Sequence, residues 1–300
     1  MIFLSDYLKS IYGTKVYKLS LSSGCTCPNR DGTLSFGGCT FCSEGGSGDF
    51  AAPFVPIREQ IALARARVEK KLPAGIPDGD RKFIAYFQSY TNTYGDTERL
   101  SALYRETLSL PEIAIISIGT RPDCIDEEKL SMLRDLNACK PVWVELGLQT
   151  MHDGTALLVN RGYPLSVFED TYQRLREAGL SVIVHLIFGL PGETKEDMLE
   201  SVRYLAALTP PPDGVKLQLL HVLRGTALGA QYEAAPFPTL SLEEYTDLVV
   251  QSLQILPDTC VIHRITGDGP KRLLLSPLWS ADKKRVLNHL HRALQEAGLL

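Results

Sequence analysis

No stretch of the 300 residues is both long and apolar enough to cross a bilayer; the longest apolar runs, such as Leu180–Leu190, are short and carry Ser181 and His185. Met1–Ser22 lacks a charged start followed by a long apolar run, so no leader is expected, the location is expected to be cytoplasmic, and no membrane partner is expected. Basic charge is not in excess either. Lys and Arg number 31 against 35 Asp and Glu, a net charge of −4, which excludes a strongly basic, sequence-blind nucleic-acid binder and leaves room only for a local basic patch. Internal repeats and low-complexity segments are absent. An even cysteine count is absent too: of seven cysteines, four crowd into Cys25–Cys42, while Cys124, Cys139 and Cys260 lie far apart. In a reducing compartment that crowding points to metal more than to disulfides.

What is present is a composition with ample core, 44% hydrophobic and 22% charged, which rules out a disordered chain. Short β-rich apolar runs alternate with amphipathic segments. The runs predict strands at Lys15–Leu21, Phe83–Gln88, Ile113–Gly119, Val142–Gln149, Ser181–Phe188 and Val215–Leu220, with a later short run at Thr259–Arg264. Helices are predicted near Ile57–Lys71, Thr97–Ser109, Asp126–Leu136, Ser166–Ala178 and Thr194–Leu208. Capping boxes are read at Ser166 with Glu169, Thr194 with Asp197, and Ser241 with Glu244, and Gly179 is read as a helix stop. Such alternation implies a parallel sheet covered by helices, curled by right-handed crossovers into a partial or open (β/α)6 TIM-like barrel. Breaks at Pro210–Pro212 and Ala234–Pro238 suggest a core over 1–230 and a C-terminal helical extension over 231–300, packed on the same domain, with helices at Leu242–Leu256 and near Ala281–Ala297.

The loop at 24–45 is the most informative segment. Cys39 and Cys42 form a C-x-x-C pair, and Cys27 lies eleven intervening residues earlier on a Gly-rich stretch able to fold back. Three thiolates on one loop suit three irons of a [4Fe–4S] cube whose fourth iron stays open to a ligand. A four-cysteine zinc site including Cys25 and a thiol redox pair at Cys39 and Cys42 are the rival readings of this spacing.

Taken with other motifs, the loop resembles the radical S-adenosylmethionine (radical SAM) superfamily, with Phe41 as the aromatic before the last cysteine and a first gap widened as in the Elongator catalytic subunit. The pattern is similar to the YhcC/YtqA-type family in Cys27-Pro28-Asn29-Arg30-Asp31-Gly32, in Tyr86 through Tyr94, in Gly119-Thr120-Arg121-Pro122-Asp123 and in Val144-Glu145-Leu146-Gly147-Leu148-Gln149. The resemblance implies cluster ligands Cys27, Cys39 and Cys42, with Cys25 a loop or core thiol. It also implies S-adenosylmethionine as cofactor, a 5′-deoxyadenosyl radical drawn from it, and an electron donor such as flavodoxin or ferredoxin.

Polar residues ending the strands are then the expected cofactor contacts. Gln88 and Thr91 stand in the place of a methionine-amine contact, although a polar strand terminus is the ordinary alternative for Gln88. Glu145 and Gln149, four apart on one strand face, need partners that ribose hydroxyls and the methionine amine would satisfy. Arg161 matches an arginine able to pair with the methionine carboxylate, against the alternative of a helix-surface ion pair. His185 stands where an acid usually contacts ribose, or is a hydrogen-bonded core histidine. Gly189 and Gly192 are expected to allow close approach to the nucleoside and a tight turn, and Arg121 is a ligand or a turn residue. Gly267 and Gly269 suggest a loop presenting Asp268; Lys283, Lys284 and Arg285, with Trp279 nearby, are a solvated face or a polynucleotide grip.

The family relation implies a tRNA substrate, with wobble uridine remodelled from the 5-carboxymethylaminomethyl towards the 5-aminomethyl form. Only a short tail follows residue 230, so acetyl-CoA chemistry is not expected. A radical enzyme acting on a small metabolite or peptide, and a non-catalytic zinc-binding RNA module, are the alternatives.

Overall fold

The computed structural model describes residues 1–46, 48–72, 76–267 and 269–300. Along the chain run β1 (Ile2–Phe3), α1 (Leu4–Tyr12), β2 (Tyr17–Leu21), α2 (Ile57–Val68), β3 (Phe83–Phe87), α3 (Thr97–Ser109), β4 (Ile113–Thr120), α4 (Glu127–Asn137) and β5 (Val142–Gln149). They are followed by α5 (Asp153–Leu158), α6 (Leu165–Glu177), β6 (Ser181–Phe188), α7 (Lys195–Ala207), β7 (Gly214–Leu219), β8 (Val222–Leu223) and α8 (Ala227–Ala234). The chain closes with α9 (Leu242–Ile255), β9 (Val261–Arg264), β10 (Leu274–Ser276) and α10 (Lys283–Glu296).

Eight strands form one sheet in the order β1-β9-β7-β6-β5-β4-β3-β2, and every neighbouring pair is parallel. The sheet curls into a half-barrel. Lys18 on β2 and Lys216 on β7 stand five strand spacings apart, roughly 24 Å in a flat sheet, yet both ammonium groups reach the carboxylate of Glu145 on β5. Only a curled sheet brings them there. The outer face packs on helices through one continuous core containing Leu19, Phe87, Ile116, Val144, Val184 and Leu217. Inside, one layer of Val16, Ile84, Ile115, Trp143 and Ile183 meets Leu8 of α1, which stops the amino-terminal end of the barrel with apolar bulk.

The six expected strands are present, and the sheet is wider than expected. Strand β9 is the later short run expected at Thr259–Arg264, within the segment read as a helical extension; it continues the main sheet beside β7, and β1 then pairs with β9. The extension is thus partly sheet, and it adds the short antiparallel pair β10–β8. The capping boxes at Thr194 with Asp197 and Ser241 with Glu244 are formed. The box at Ser166 is not: α6 starts at Leu165 after Pro164, Asp153 accepts the Leu165 N–H at 2.7 Å, and Glu169 instead accepts from Tyr204. Gly179 takes the left-handed conformation of a helix stop, φ 73°.

Truncating Leu8 to alanine removes the apolar stopper from a layer that cannot collapse around Trp143, so the expected cost is about 2–5 kcal/mol. A urea midpoint unchanged in the L8A variant would show that α1 does not close the barrel.

Candidate active site

The widened cysteine gap folds as a compact tongue. Arg30 and Asp31 donate backbone N–H groups to the Cys27 carbonyl, Asp31 bridges to Phe36, and Gly38 N–H donates to the Asn29 carbonyl at 2.8 Å. The chain therefore doubles back and returns Cys39 towards Cys27. The Arg30 guanidinium then ties the loop's far side, donating to the carbonyls of Cys42 and Ser43. Gly38 is needed here: its φ is +87°, and a Cβ would lie 2.8 Å from Arg30 Nε. Asn29 donates both to the Asn160 carbonyl and to Cys39 Sγ, the latter at 3.7 Å, fixing the sulfur's direction.

Cys27, Cys39 and Cys42 line one cavity of about 230 Å³. Burial pushes the Cys39 thiol up to about 12, and the neighbouring Cys42 and Cys27 push it further in the same direction. A thiol raised in this way needs a cationic centre beside it to become a thiolate. A single zinc ion would hold its sulfurs about 3.8 Å apart, the tetrahedral edge for a 2.3 Å bond. Among the described residues no three cysteine sulfurs lie within 4.8 Å of one another. The wider spacing fits a cube with one iron per thiol better than it fits one ion. Cys25 faces elsewhere; it is buried in the main core and accepts from Arg99 Nη2 at 3.3 Å.

The carboxyl ends of the strands supply the rest of the wall. Gln88 and Thr91 follow β3 and line the cavity. Gln149 ends β5 in the left-handed region, φ 69°, and its buried Oε1 has no hydrogen-bond partner. A strained backbone and an unsatisfied amide oxygen on a cavity wall are what a missing polar ligand leaves behind. Gly147 makes room for this side chain, since a Cβ there would stand 2.8 Å from Gln149 Nε2.

Arg161 has a different task from the one expected. All five of its guanidinium N–H groups are engaged: Nη1 with the carbonyls of Leu148 and Thr150 at 2.8 and 2.6 Å, Nε with Tyr163, and Nη2 with Tyr163 and Asp153. No fork remains for a carboxylate. The two Nη1 bonds grip the backbone on either side of Gln149 and hold it in its strained conformation. Arg121 forks onto Asp123 at 2.9 and 2.6 Å and donates to the Arg161 carbonyl, so it combines the turn reading with a place on the cavity wall.

Glu145 lies deeper than a strand end. It is 1% exposed, and its oxygens accept from Lys18 at 2.8 Å, Ser117 at 2.7 Å, His185 at 2.9 Å and Lys216. Lys216 also donates to the Tyr86 hydroxyl at 3.0 Å, and both ammonium groups lie over the Tyr86 ring. Burial alone would raise the Glu145 carboxyl, but Lys18 and Lys216, helped by His185, hold it well below the usual range. Burial, and then Lys216, lower the His185 ring to about 4, so at neutral pH it donates from Nε2 as a neutral imidazole. Glu145 and His185, the residues expected to contact ribose, thus belong to an internal network and at the same time line the cavity. Lys18 and Lys216 were missed from sequence. The available signal was a lysine interrupting each of two apolar strand runs, Tyr-Lys-Leu and Val-Lys-Leu.

Elsewhere, Gly189 and Gly192 both take positive φ as turn residues, but the space above Gly189 is filled by Leu240. Trp279 donates Nε1–H to the Leu240 carbonyl and packs towards Tyr245, so its ring is half-buried. Asp268 lies outside the described residues. No described helix is long and apolar enough to cross a membrane.

Residues 24–205 match the model of the radical SAM superfamily, and residues 212–296 match that of the Radical_SAM C-terminal domain. The uncharacterized protein YtqA of Bacillus subtilis is 41% identical over 296 residues, 98% of this chain and 89% of that one. A tRNA uridine(34) acetyltransferase of Methanocaldococcus infernus is 28% identical over 211 residues, 67% of this chain and 38% of that one. Among solved structures, the M. infernus Elp3 with an N-terminal deletion shares the fold at TM-score 0.70 and 19% identity, covering 95% of this chain and 64% of that chain.

Replacing Glu145 by glutamine leaves the buried Lys216 ammonium and the half-buried Lys18 ammonium without their anion, and the expected loss is about 3–5 kcal/mol; an E145Q urea midpoint equal to the wild type would refute the clamp. The His185 ring binds fewer protons folded than unfolded between its ordinary 6.5 and about 4. Stability is therefore lost as pH falls through that window, by about 1.4 kcal/mol per pH unit for one such ring. Unfolding free energies measured from pH 7 to 4 are expected to fall less steeply in H185N, and parallel curves would contradict a neutral buried ring.

Proposed function

The chain belongs to the radical SAM superfamily, and from that membership we propose that it is a tRNA-modifying enzyme that remodels the side chain of a wobble uridine. The cofactors are a [4Fe–4S] cluster and S-adenosylmethionine; together, when bound, they supply a carbon-centred 5′-deoxyadenosyl radical able to take hydrogen from an unactivated carbon. Cys27, Cys39 and Cys42 would hold the cluster. The observation that carries this assignment is that the three thiols line the same cavity as Gln149, whose amide oxygen is buried without a hydrogen-bond partner.

The protein's own work is binding, aim and exclusion of water. Asn29 orients the Cys39 sulfur, and Arg30 closes the loop around the thiols. Gln149, held by Arg161, offers an unpaired amide oxygen to the amine of the bound S-adenosylmethionine, and Gln88 and Thr91 stand on the same wall. Strand-end residues on a rigid sheet keep such contacts in place better than a mobile loop would. The apolar layer and α1 seal the opposite end, so a reactive species formed in the cavity is kept from bulk water. A one-electron donor of the flavodoxin or ferredoxin kind completes the system.

The tRNA reading is supported by the likeness to a tRNA uridine(34) acetyltransferase and by the fold shared with an archaeal Elp3. The favoured change is oxidative loss of the carboxymethyl group from 5-carboxymethylaminomethyluridine. A net two-electron oxidation of its CH2–N bond, for which S-adenosylmethionine cleaved to methionine and 5′-deoxyadenosine would be the oxidant, is followed by hydrolysis of the resulting imine by water. This leaves 5-aminomethyluridine and glyoxylate.

Two measurements test this. Anaerobically purified protein is expected to carry about four irons per chain and to form 5′-deoxyadenosine with reductant. C39A loses both, whereas C25A keeps its iron because that thiol faces the core; iron-free C25A or fully active C39A would overturn the ligand set. In cells lacking the gene, tRNA hydrolysates are expected to accumulate the carboxymethylaminomethyl nucleoside at the expense of the aminomethyl series. Identical nucleoside profiles would dismiss the tRNA substrate in favour of a small metabolite or peptide, with the radical chemistry untouched.

A further inference from the structure

Positive charge is unevenly placed along the chain. Residues 271–300 hold six of the 31 Lys and Arg but two of the 35 Asp and Glu, so this segment carries a net +4 while the remainder carries −8. The fold brings several of these cations beside the cavity. Gly269 and Pro270 line it, and the exposed Lys271 and Arg272 follow directly; two trans peptide units put Lys271 Cα at most about 7.6 Å from Gly269 Cα. The segment runs on through β10 and then returns. At the start of α10, Lys283 lines a small pocket with His221 and Gly267, both of which also line the main cavity. Lys284 and Arg285, the next two residues, are exposed. Two cationic pairs thus adjoin the same part of the cavity wall.

The protein's own electrostatics do not account for them. Exposed arginines elsewhere face acids, as Arg203 does Glu196 and Arg224 does Glu233. Lys271, Arg272, Lys284 and Arg285 form no ion pair among the described residues. Lys284 and Arg285 also lie in the first turn of α10, where the positive end of the backbone dipole disfavours cations. Charge placed at a cost to stability is what a binding surface keeps.

We propose that Lys271, Arg272, Lys284 and Arg285 grip the phosphate backbone of the RNA beside the nucleotide that enters the cavity. The grip rests on the reading above that the substrate is a tRNA. Phosphate contacts position a polynucleotide without reading its bases. A nucleotide worked on inside a cavity is swung out of its strand while its neighbours are held outside. The −8 on the rest of the chain turns a polyanion away from other faces and towards this one. The two pairs come from separate segments that meet at the cavity wall. That arrangement suits a strand passing an opening better than a flat anionic membrane, which favours one long helix face.

The test uses the reconstituted holoenzyme and two synthetic anticodon stem-loops, one with 5-carboxymethylaminomethyluridine and one with unmodified uridine, with affinities measured between about 50 and 200 mM salt. K271Q/R272Q and K284Q/R285Q are each expected to bind both loops about tenfold more weakly. Each is also expected to flatten the slope of log Kd against log salt by about 1.4, the value for two contacts on a single strand. K271R/R272K and K284R/R285K keep the charge and are expected to keep the affinity. K70Q/K71Q removes two exposed lysines at the opposite end of the sheet, where the Lys71 carbonyl accepts from Tyr17, and is expected to change nothing.

Unaltered affinity and slope in either glutamine variant, or an equal loss in K70Q/K71Q or in the charge-keeping variants, overturns the grip and leaves the tRNA reading standing. Weakened loop binding in both glutamine variants, with wobble nucleosides unchanged in cells lacking the gene, keeps the grip for another RNA and dismisses the wobble uridine alone. A wild type that binds neither loop overturns both. Vesicles of phosphatidylcholine and phosphatidylserine in equal parts, bound by the wild type more tightly than either loop and released by the glutamine variants, would assign the face to a lipid surface and overturn the grip.

Discussion

One buried carboxylate joins the two halves of this barrel. Glu145 collects Lys18 from the first strand of the main run, Lys216 from its far side, Ser117 from the neighbouring strand and His185 from the next. Each partner alone would bear the cost of being desolvated; together they satisfy one another and set the radius of the curl. The apolar layer below and the cavity above both depend on that radius. The floor of the cavity and the clamp that shapes the sheet are therefore the same group of atoms.

The upper layer is arranged with comparable economy. The cysteine tongue is a local structure, held by its own backbone bonds and by Arg30 and Asn29. Arg161 then couples the loop region to the sheet. It holds the backbone on both sides of Gln149 and leaves that amide oxygen buried and unpaired at the cavity wall. Strain at Gln149 and its buried, unpaired amide oxygen belong to one residue of the chamber's lining. Both are features that a stable fold would ordinarily remove and that a binding site keeps.

Much of the architecture was legible in the sequence because strand and helix patterns are local. The strands at Val142–Gln149 and Ser181–Phe188 are found at the predicted bounds. Thr194 and Ser241 cap helices as their spacing indicates. Ser166 does not, because Asp153, thirteen residues earlier, supplies the acceptor from another element. Short elements such as β1, α5 and α8 gave too few residues for a period to show.

By itself, then, the sequence determined the parallel α/β pattern and the spacing of three thiols on one loop, since both are written within a few tens of residues. The tertiary structure decided which polar residues meet. Lys18 and Glu145 are 127 positions apart, and Glu145 and Lys216 are 71. Their encounter follows from strand order and curvature, which no local pattern encodes. The same holds for Arg161, whose side chain was readable as a ligand for a carboxylate until the fold surrounded it with backbone carbonyls.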